Sequence, residues 1–336
     1  MAMPLSPSSR PDSPGRRRVR RLAAAAASAV LVLSGCTSAP SSAISSTSGP
    51  VSTAAGPATS PAGPATSAAA SASKAPSPRD LLPKNVIDRG YVTVATTFGF
   101  PPEQFNDESG KPIGSTIDLG EALGAKLGIE FRQVDAPWDG VIAGLKAHRY
   151  DVVIGGMIIL PERRKQLNFV RYKRTGQGMI IHADNAATLK QWPDFCGKKV
   201  GNLKGSTNGD TVAAASKENC EANGKPAIEL VPFNGASDVY QAIIAKRIDG
   251  TLSGLAAVTY MADHSDGKMK VDQDIVKMRD DSGIATPPDD GGLGKAIAAA
   301  LQELIDDGTY GRILTKWGQG GDQLLDKTEY LPVQNG

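Results

Sequence analysis

The sequence predicts an α/β fold of two lobes, each built on a parallel-type sheet, and three observations carry that prediction. Strand and helix patterns alternate from Tyr91 to Arg164. A second alternating run fills 179–252, and a helical pattern returns over 297–317. Alternation at this spacing makes parallel sheets with helices on their faces. Once the N-terminal stretch is set aside, about 250 residues remain, enough for two modest lobes.

That N-terminal stretch cannot join a core. Arg16, Arg17, Arg18, Arg20 and Arg21 precede an apolar run of Ala, Val and Leu from Leu22 to Leu33. A basic start with so short an apolar run makes a secretory signal peptide over 1–35, not a membrane span. From Thr37 to about Pro78 the chain is nearly all Ser, Ala, Thr, Pro and Gly. Such a segment buries too little apolar surface to offset ordering, so 36–84 is expected to be a disordered tether. Without the leader, 31 Lys+Arg face 34 Asp+Glu, a formal charge of −3. That balance is no nucleic-acid footprint.

Tyr91 to Ala95 alternates around Val92 and Val94 and reads as the first strand. Thr96 to Pro102 is a loop holding Phe98 and Phe100, and Asn106 to Gly114 has the turn chemistry of a hairpin-like excursion. Thr116 is placed to cap a helix whose core face is Leu119, Ala122, Leu123 and Leu127, with Gly128 as its stop. Ile129 to Val134 is a strand, followed by a helix after Trp138, a strand at 151–154 and a helix starting at Pro161. In the second lobe, Met179 to His182, Lys198 to Leu203, Ala227 to Pro232 and Ile248 to Leu252 read as strands. Helices around Thr211 to Ser216 and through Val239, Tyr240, Ile243 and Ile244 lie between them. The chain ends on a helix through Ile297, Leu301, Leu304 and Ile305, then an amphipathic tail with Tyr310, Ile313, Leu314 and Trp317.

The stretch from Trp138 to Arg163 carries the strongest chemical signal. Two glycines, Gly155 and Gly156, follow a buried strand and let a ligand approach the backbone. Pro161 opens a helix, and its first turn with Arg163 favours an anion, because a guanidinium clamps a carboxylate through two hydrogen bonds. Gly205-Ser206-Thr207-Asn208-Gly209-Asp210 is a polar turn running into a helix and forms a second candidate anion cradle. Ligands of parallel sheets bind past the carboxyl ends of strands, where Phe100, Trp138 and Gly156 all fall. Cys196 and Cys220, exported from the cytoplasm, are expected to form a disulfide. His148, His182 and His264 share no ligand spacing, so no metal site is expected.

Several motifs in order resemble the family 3 extracytoplasmic solute-binding proteins, the receptors of polar-amino-acid ABC importers. They are Gly-Phe-Pro-Pro at 99–102, Pro-Trp-Asp-Gly at 137–140, Asp-Val-Val-Ile-Gly-Gly-Met at 151–157 and Pro-Glu-Arg at 161–163. Gly-Lys-Lys-Val-Gly at 197–201, Gly-Ser-Thr at 205–207 and Asp-Gly-Thr-Tyr at 307–310 continue the set. Leu33-Ser34-Gly35-Cys36 resembles the lipobox of bacterial lipoproteins, which implies acylation of Cys36 and anchoring to the outer face of the cell membrane. The resemblance implies a two-lobed, type II periplasmic-binding-protein-like fold with two crossover strands. Lobe 1 would span 85–173 and 278–336, and lobe 2 would span 174–277. It implies a monomer that takes an amino acid or related small carboxylate from outside the cell, needs no cofactor, and passes its ligand to the permease subunits of an ABC transporter.

Carried over by position, Phe100 and Trp138 become aromatic walls and Gly156 a backbone donor to the ligand carboxylate. Arg163 becomes its bidentate partner, and Ser206 and Thr207 complete the cradle from lobe 2. The chain departs from the family at the other end of the ligand. Ile158 and Leu160 stand where hydroxyls are usual, Thr97 where an acid is common, and Ser253 or Gly254 where an aspartate usually holds the α-ammonium. Either Glu103 supplies the missing negative charge, or the ligand has no free α-amine. Two other functions share the fold: an enzyme, dehydratase-like or cell-wall lytic, and a ligand sensor for a signalling partner. Against the enzyme, the sequence offers no Ser–His–Asp set, metal cluster or carboxylate pair for the expected cleft, and Asp289-Asp290 sits in a Pro/Gly loop.

Overall fold

One strand of fifteen residues, Asn168–His182, runs through both halves of the molecule. The computed structural model describes residues 76–272, 275, 279–324 and 327–334. The expected signal peptide, Cys36 and most of the tether lie outside the described residues, as does the expected return at residue 278.

The first half of the chain begins with α1 (Lys84–Arg89), β1 (Tyr91–Thr96) and the hairpin strands β2 (Phe105–Asn106) and β3 (Pro112–Ile113). There follow α2 (Ser115–Leu127), β4 (Glu130–Asp135), α3 (Val141–Lys146), β5 (Val152–Val153), the single turn α4 (Pro161–Arg164) and the long β6 (Asn168–His182). The second half runs β7 (Lys199–Leu203), α5 (Thr207–Asn219), β8 (Glu229–Phe233), α6 (Ala236–Ile244), β9 (Gly250–Gly254), α7 (Leu255–Asp263) and β10 (Met269–Asp272). The chain returns through β11 (Arg279–Thr286) to α8 (Leu293–Asp306), α9 (Thr309–Lys316) and β12 (Glu329–Leu331).

β1 pairs in parallel with β4 and β5, and β7 in parallel with β8 and β9. The two parallel groups are joined by the antiparallel crossover pair β6 and β11, giving the order β4-β1-β5-β11-β6-β9-β7-β8. β6 pairs with β11 up to Gly176 and with β9 from Gln177 onward. The change of partner thus falls three residues beyond the expected crossing at 173. The strand therefore reads through the hinge without a break, where the sequence suggested a separate short strand at 179–182.

Both faces of each parallel group are covered, which is why its strands are apolar on both sides. In lobe 1, Val92, Val94 and Val152 pack against Leu119, Leu123, Ile297 and Leu301, while Ala95, Val153 and Phe169 pack against Val141 and Leu145. In lobe 2, Val200 and Leu252 meet Val212 and Phe195 on one side, and Ile180 meets Val239, Tyr240 and Val258 on the other. Cys196 and Cys220 form a disulfide within the first of these clusters, with Cα atoms 5.5 Å apart. The bond closes a loop of 24 residues in sequence separation. Cys196→Ser is expected to lower unfolding free energy by about 3 kcal/mol through the restored chain entropy of the unfolded state. Ligand affinity should stay unchanged, because neither cysteine lines the cleft. Urea unfolding and calorimetry on the same variant check both halves of that expectation.

Two expectations need correction. The tether does not extend to residue 84: ordered structure begins by Ser77, with a short 3₁₀ helix over Pro78–Leu81 and Pro78, Leu82 and Val86 buried. The reason is long-range. Arg79 Nη1 donates to Leu127 O and Gly128 O, each at 2.7 Å, so it satisfies the carbonyls left open at the end of α2. Thr116 does not cap α2 either. Gly114 occupies the cap position, and Thr116 lies inside the first turn, donating its hydroxyl to Glu103 O at 2.9 Å. The backbone amides of Ser115 and Thr116 donate to Pro102 O and Glu103 O, so the loop from Phe100 to Glu103 is clamped onto the helix start. Gly114 has φ +132, and a Cβ there would overlap the Glu103 carbonyl, so this close approach admits only glycine.

Candidate functional site

The cleft between the lobes is walled by Phe100 and Trp138 from lobe 1 and by α6 from lobe 2, where Ala236, Val239 and Tyr240 line it. It encloses about 920 Å³ of empty space, its open mouth included, room for a small polar molecule rather than a polymer. All eight residues singled out from the sequence line it: Phe100, Glu103, Trp138, Gly156, Arg163, Ser206, Thr207 and Ser253. Gln104, Ile158, Thr175, Gln177, Asn208, Thr251 and Gly254 are among the others on its wall.

The lobes touch across this cleft. Phe100 packs against the Val239 and Tyr240 cluster of the other lobe. Phe105 lies 5.8 Å from Tyr260 and 5.9 Å from Trp317, ring centre to ring centre, bridging the halves at the rim. Gly205, at φ +72, comes so close to Asp139 that an added Cβ would stand 3.0 Å from its Cα. This is a closed arrangement of the two lobes, one in which a small molecule in the cleft would meet both halves at once.

One end of the cleft holds a buried guanidinium. Arg163 is 7% exposed, and its Nη1 donates to Ile158 O at 3.0 Å. Burial pulls its pKa below the usual guanidinium range, and the nearby carboxylates of Glu162 and Asp210 oppose that shift. Asp210 is in the first turn of α5, so the guanidinium on lobe 1 and the amino end of α5 on lobe 2 are neighbours. Ser206 is the cap residue of α5, yet its hydroxyl makes no capping bond and is buried without a partner. A helix N-terminus whose cap hydroxyl has no partner thus lies near a buried guanidinium, and both favour negative charge. Neither Gly155 nor Gly156 has a positive φ, and a Cβ at Gly156 would meet only Glu103 Oε2 at 3.6 Å. Glycine there keeps the backbone bare toward the cleft rather than enabling a turn.

The other end is different. Glu103 Oε1 accepts from Lys173 Nζ in a buried ion pair, and also from Gln319 Nε2 at 3.3 Å. Lys173 is fully buried on the crossover strand β6, and Gln319 follows α9. Glu103 is therefore not a free acid: its charge is already matched by a lysine that local sequence reading had no means of pairing with it. Ser253 and Gly254, at the position where the family resemblance led one to expect an aspartate, both face the cleft without a charge. Ser253 bonds the Tyr240 hydroxyl, whose pKa burial pushes up to about 12, so that phenol stays protonated at ordinary pH.

Among the residues missed from the sequence are Lys173, Gln104, Thr175, Gln177, Tyr240 and Thr251. Gln177 Nε2 donates to Asn208 Oδ1 at 3.0 Å, and its Oε1 is buried with no partner. Thr175 and Gln177 sit on the crossover strand, where no local pattern marks a wall of a cleft. Tyr240 obeyed the helical core spacing, and only its hydroxyl distinguishes it from the aliphatic residues beside it. Among the described residues no cluster of three or more His, Cys, Asp or Glu is placed to hold a metal, and no helix is long and apolar enough to cross a membrane.

The sequence model of the bacterial extracellular solute-binding proteins, family 3, matches residues 92–320. The chain belongs to this family. This family 3 protein is 27% identical over 243 residues to the arginine-binding protein ArgT of Corynebacterium glutamicum, covering 72% of this chain and 79% of that one. It is 28% identical over 233 residues to the L-cystine-binding protein TcyJ of Escherichia coli K12, covering 69% and 84%. Among solved structures, an ancestral arginine-binding protein bound to arginine superposes with TM-score 0.62 at 32% identity, over 68% of this chain and 98% of that one. The ancestral amino acid-binding protein AncCDT-1, a precursor of cyclohexadienyl dehydratase, gives TM-score 0.62 at 26% identity, over 69% and 97%. The fold of the family 3 protein is accordingly the two-lobed type II periplasmic-binding-protein fold, and its relatives of this similarity are amino-acid-binding proteins.

Proposed function

We propose that the chain is the extracytoplasmic receptor of an ABC importer, binding an amino acid or related small carboxylate in the interlobe cleft and delivering it to the permease. The observation that carries this reading is the pairing of buried Arg163 on one lobe with the unpartnered Ser206 hydroxyl and the α5 N-terminus on the other. A carboxylate satisfies both at once only when the lobes are closed, which couples occupancy to the closed shape. In this reading Phe100 and Trp138 hold the ligand between them, the Gly156 amide and Thr207 add donors, and Glu103 and Ser253 face its far end. Lobe 1 would comprise the described residues within 76–176 and 279–334, and lobe 2 the described residues between, with the hinge at Gly176 and near Arg279.

Anchoring through an acylated Cys36, after export by the basic and apolar leader, fits a receptor held beside its permease as a monomer. The names of its relatives, all binding proteins in the comparisons above, support binding over catalysis, as does a cleft whose ionisable lining is one guanidinium and one lysine-paired carboxylate. A thermal-shift screen of free amino acids, N-acylated amino acids, hydroxy acids and dicarboxylates tests the reading. A ligand at about 100 times its Kd adds about 2.7 kcal/mol of stability. A screen in which only compounds without a carboxylate stabilise the protein would end it.

A further inference from the structure

The charge balance of the cleft narrows the ligand. Of the residues that line it, Arg163 brings the one guanidinium and Glu103 the one carboxylate, and no lysine or histidine joins them. Glu103 is matched by Lys173, whose side chain is 0% exposed and directed at it from β6. The closed cleft therefore carries one net positive charge, on Arg163. Glu162 and Asp210 influence that guanidinium, but both are exposed and neither lines the cleft, so water screens them.

A zwitterionic amino acid leaves that positive charge uncompensated. Its carboxylate would match Arg163, and its ammonium would then be a second cation beside Lys173, with one carboxylate to share between them. Glu103 Oε1 is already taken by Lys173 and Gln319, and only Oε2, toward Gly156, has room. Burying a cation with no acceptor of its own costs several kcal/mol. A monoanion brings the closed cleft to neutrality. The other polar residues of the wall are uncharged: Gln104, Thr175, Asn208, Thr251, Ser253 and the protonated Tyr240. Gln177 Oε1 is a buried acceptor with no donor, and a hydroxyl or amide N–H on the ligand would fill it without adding charge.

Resting on the carboxylate reading of the cleft, we infer that its ligand is a singly charged carboxylate with no free ammonium group, carrying hydroxyl or amide donors in its place. A hydroxy acid and an N-acylated amino acid both have this chemistry. Gly254 provides the converse experiment. Its φ of −55 suits any residue, and a Cβ there would meet only Thr175 Oγ1 at 3.9 Å, so a carboxylate can be introduced into the wall without strain.

Calorimetric titration with matched pairs tests the inference: alanine against lactate, serine against glycerate, and glutamine against N-acetylglutamine. In the unaltered protein the best ligand of the panel should be an amine-free or amine-masked acid, at least ten-fold tighter than its free-amine partner. Gly254→Asp, or Ser253→Asp if the former unfolds, should erase or reverse that preference. A free amino acid that binds the unaltered protein as tightly as its masked partner overturns the inference and leaves the importer reading standing. No binding by either member of any pair overturns the inference together with the carboxylate reading beneath it.

Discussion

Arg163→Ala is expected to remove carboxylate binding and leave the fold in place. The guanidinium is buried, and it is the unpaired cation of the cleft. Truncating one partner of a buried, hydrogen-bonded charge pair costs about 2–5 kcal/mol, which is roughly 30- to 4,000-fold in Kd. The fold should tolerate the loss. Among the described residues the side chain makes one internal hydrogen bond, to Ile158 O, worth about 1 kcal/mol, and removing an already desolvated cation recovers part of that. Arg163→Lys should also bind weakly, because an ammonium keeps the charge but cannot present two parallel N–H groups. Titration calorimetry for affinity and urea unfolding for stability separate the two effects. Affinity that survives in Arg163→Ala would remove the guanidinium from the site and with it the reading of the cleft as an anion receptor.

Lys173→Met should be the most damaging change to stability. It leaves the Glu103 carboxylate buried beside Gln319 without its cation, and breaking a buried pair from one side costs about 3–5 kcal/mol. The double variant Lys173→Met, Glu103→Gln should recover most of that loss, because no unmatched charge remains. The two substitutions share one interaction, so their effects should be strongly non-additive. The pair also joins three segments: the loop clamped on α2, the crossover strand β6 and the stretch after α9. A Lys173→Met protein as stable as its parent in urea would show that the pair holds nothing together, and would free Glu103 for another role. Matched titrations on the same variant bear on selectivity: with its lysine gone, Glu103 should accept an ammonium, and free amino acids should gain affinity.

The residues proposed to hold the anion were legible in the sequence as cleft residues because they sit in local motifs. Gly155-Gly156 follows a strand, Arg163 is in the first turn after Pro161, and Ser206-Thr207 starts a helix, so each chemical role comes with its own short pattern. The opposite end was not legible. Glu103 looked like a free acid, yet its partner lies 70 residues away on a strand that shows no break at the hinge. The tether boundary failed for the same reason. Ser77 to Leu82 has a composition that suits disorder, and what orders it is Arg79 reaching the end of α2, 48 residues on.

By itself, then, the order of strands, helices and short motifs determined that this is a two-lobed α/β receptor with an arginine-centred pocket. Periodicity and turn chemistry are local, and local terms decide which elements form and which backbone amides are left to bind an anion. Only the tertiary structure decided the charge of that pocket. A buried carboxylate is an acceptor for ligand or a spent ion-pair partner according to what lies within a few ångströms of it, and in this chain Lys173 and Gln319 arrive there through the folding of the crossover strand and the C-terminal segment.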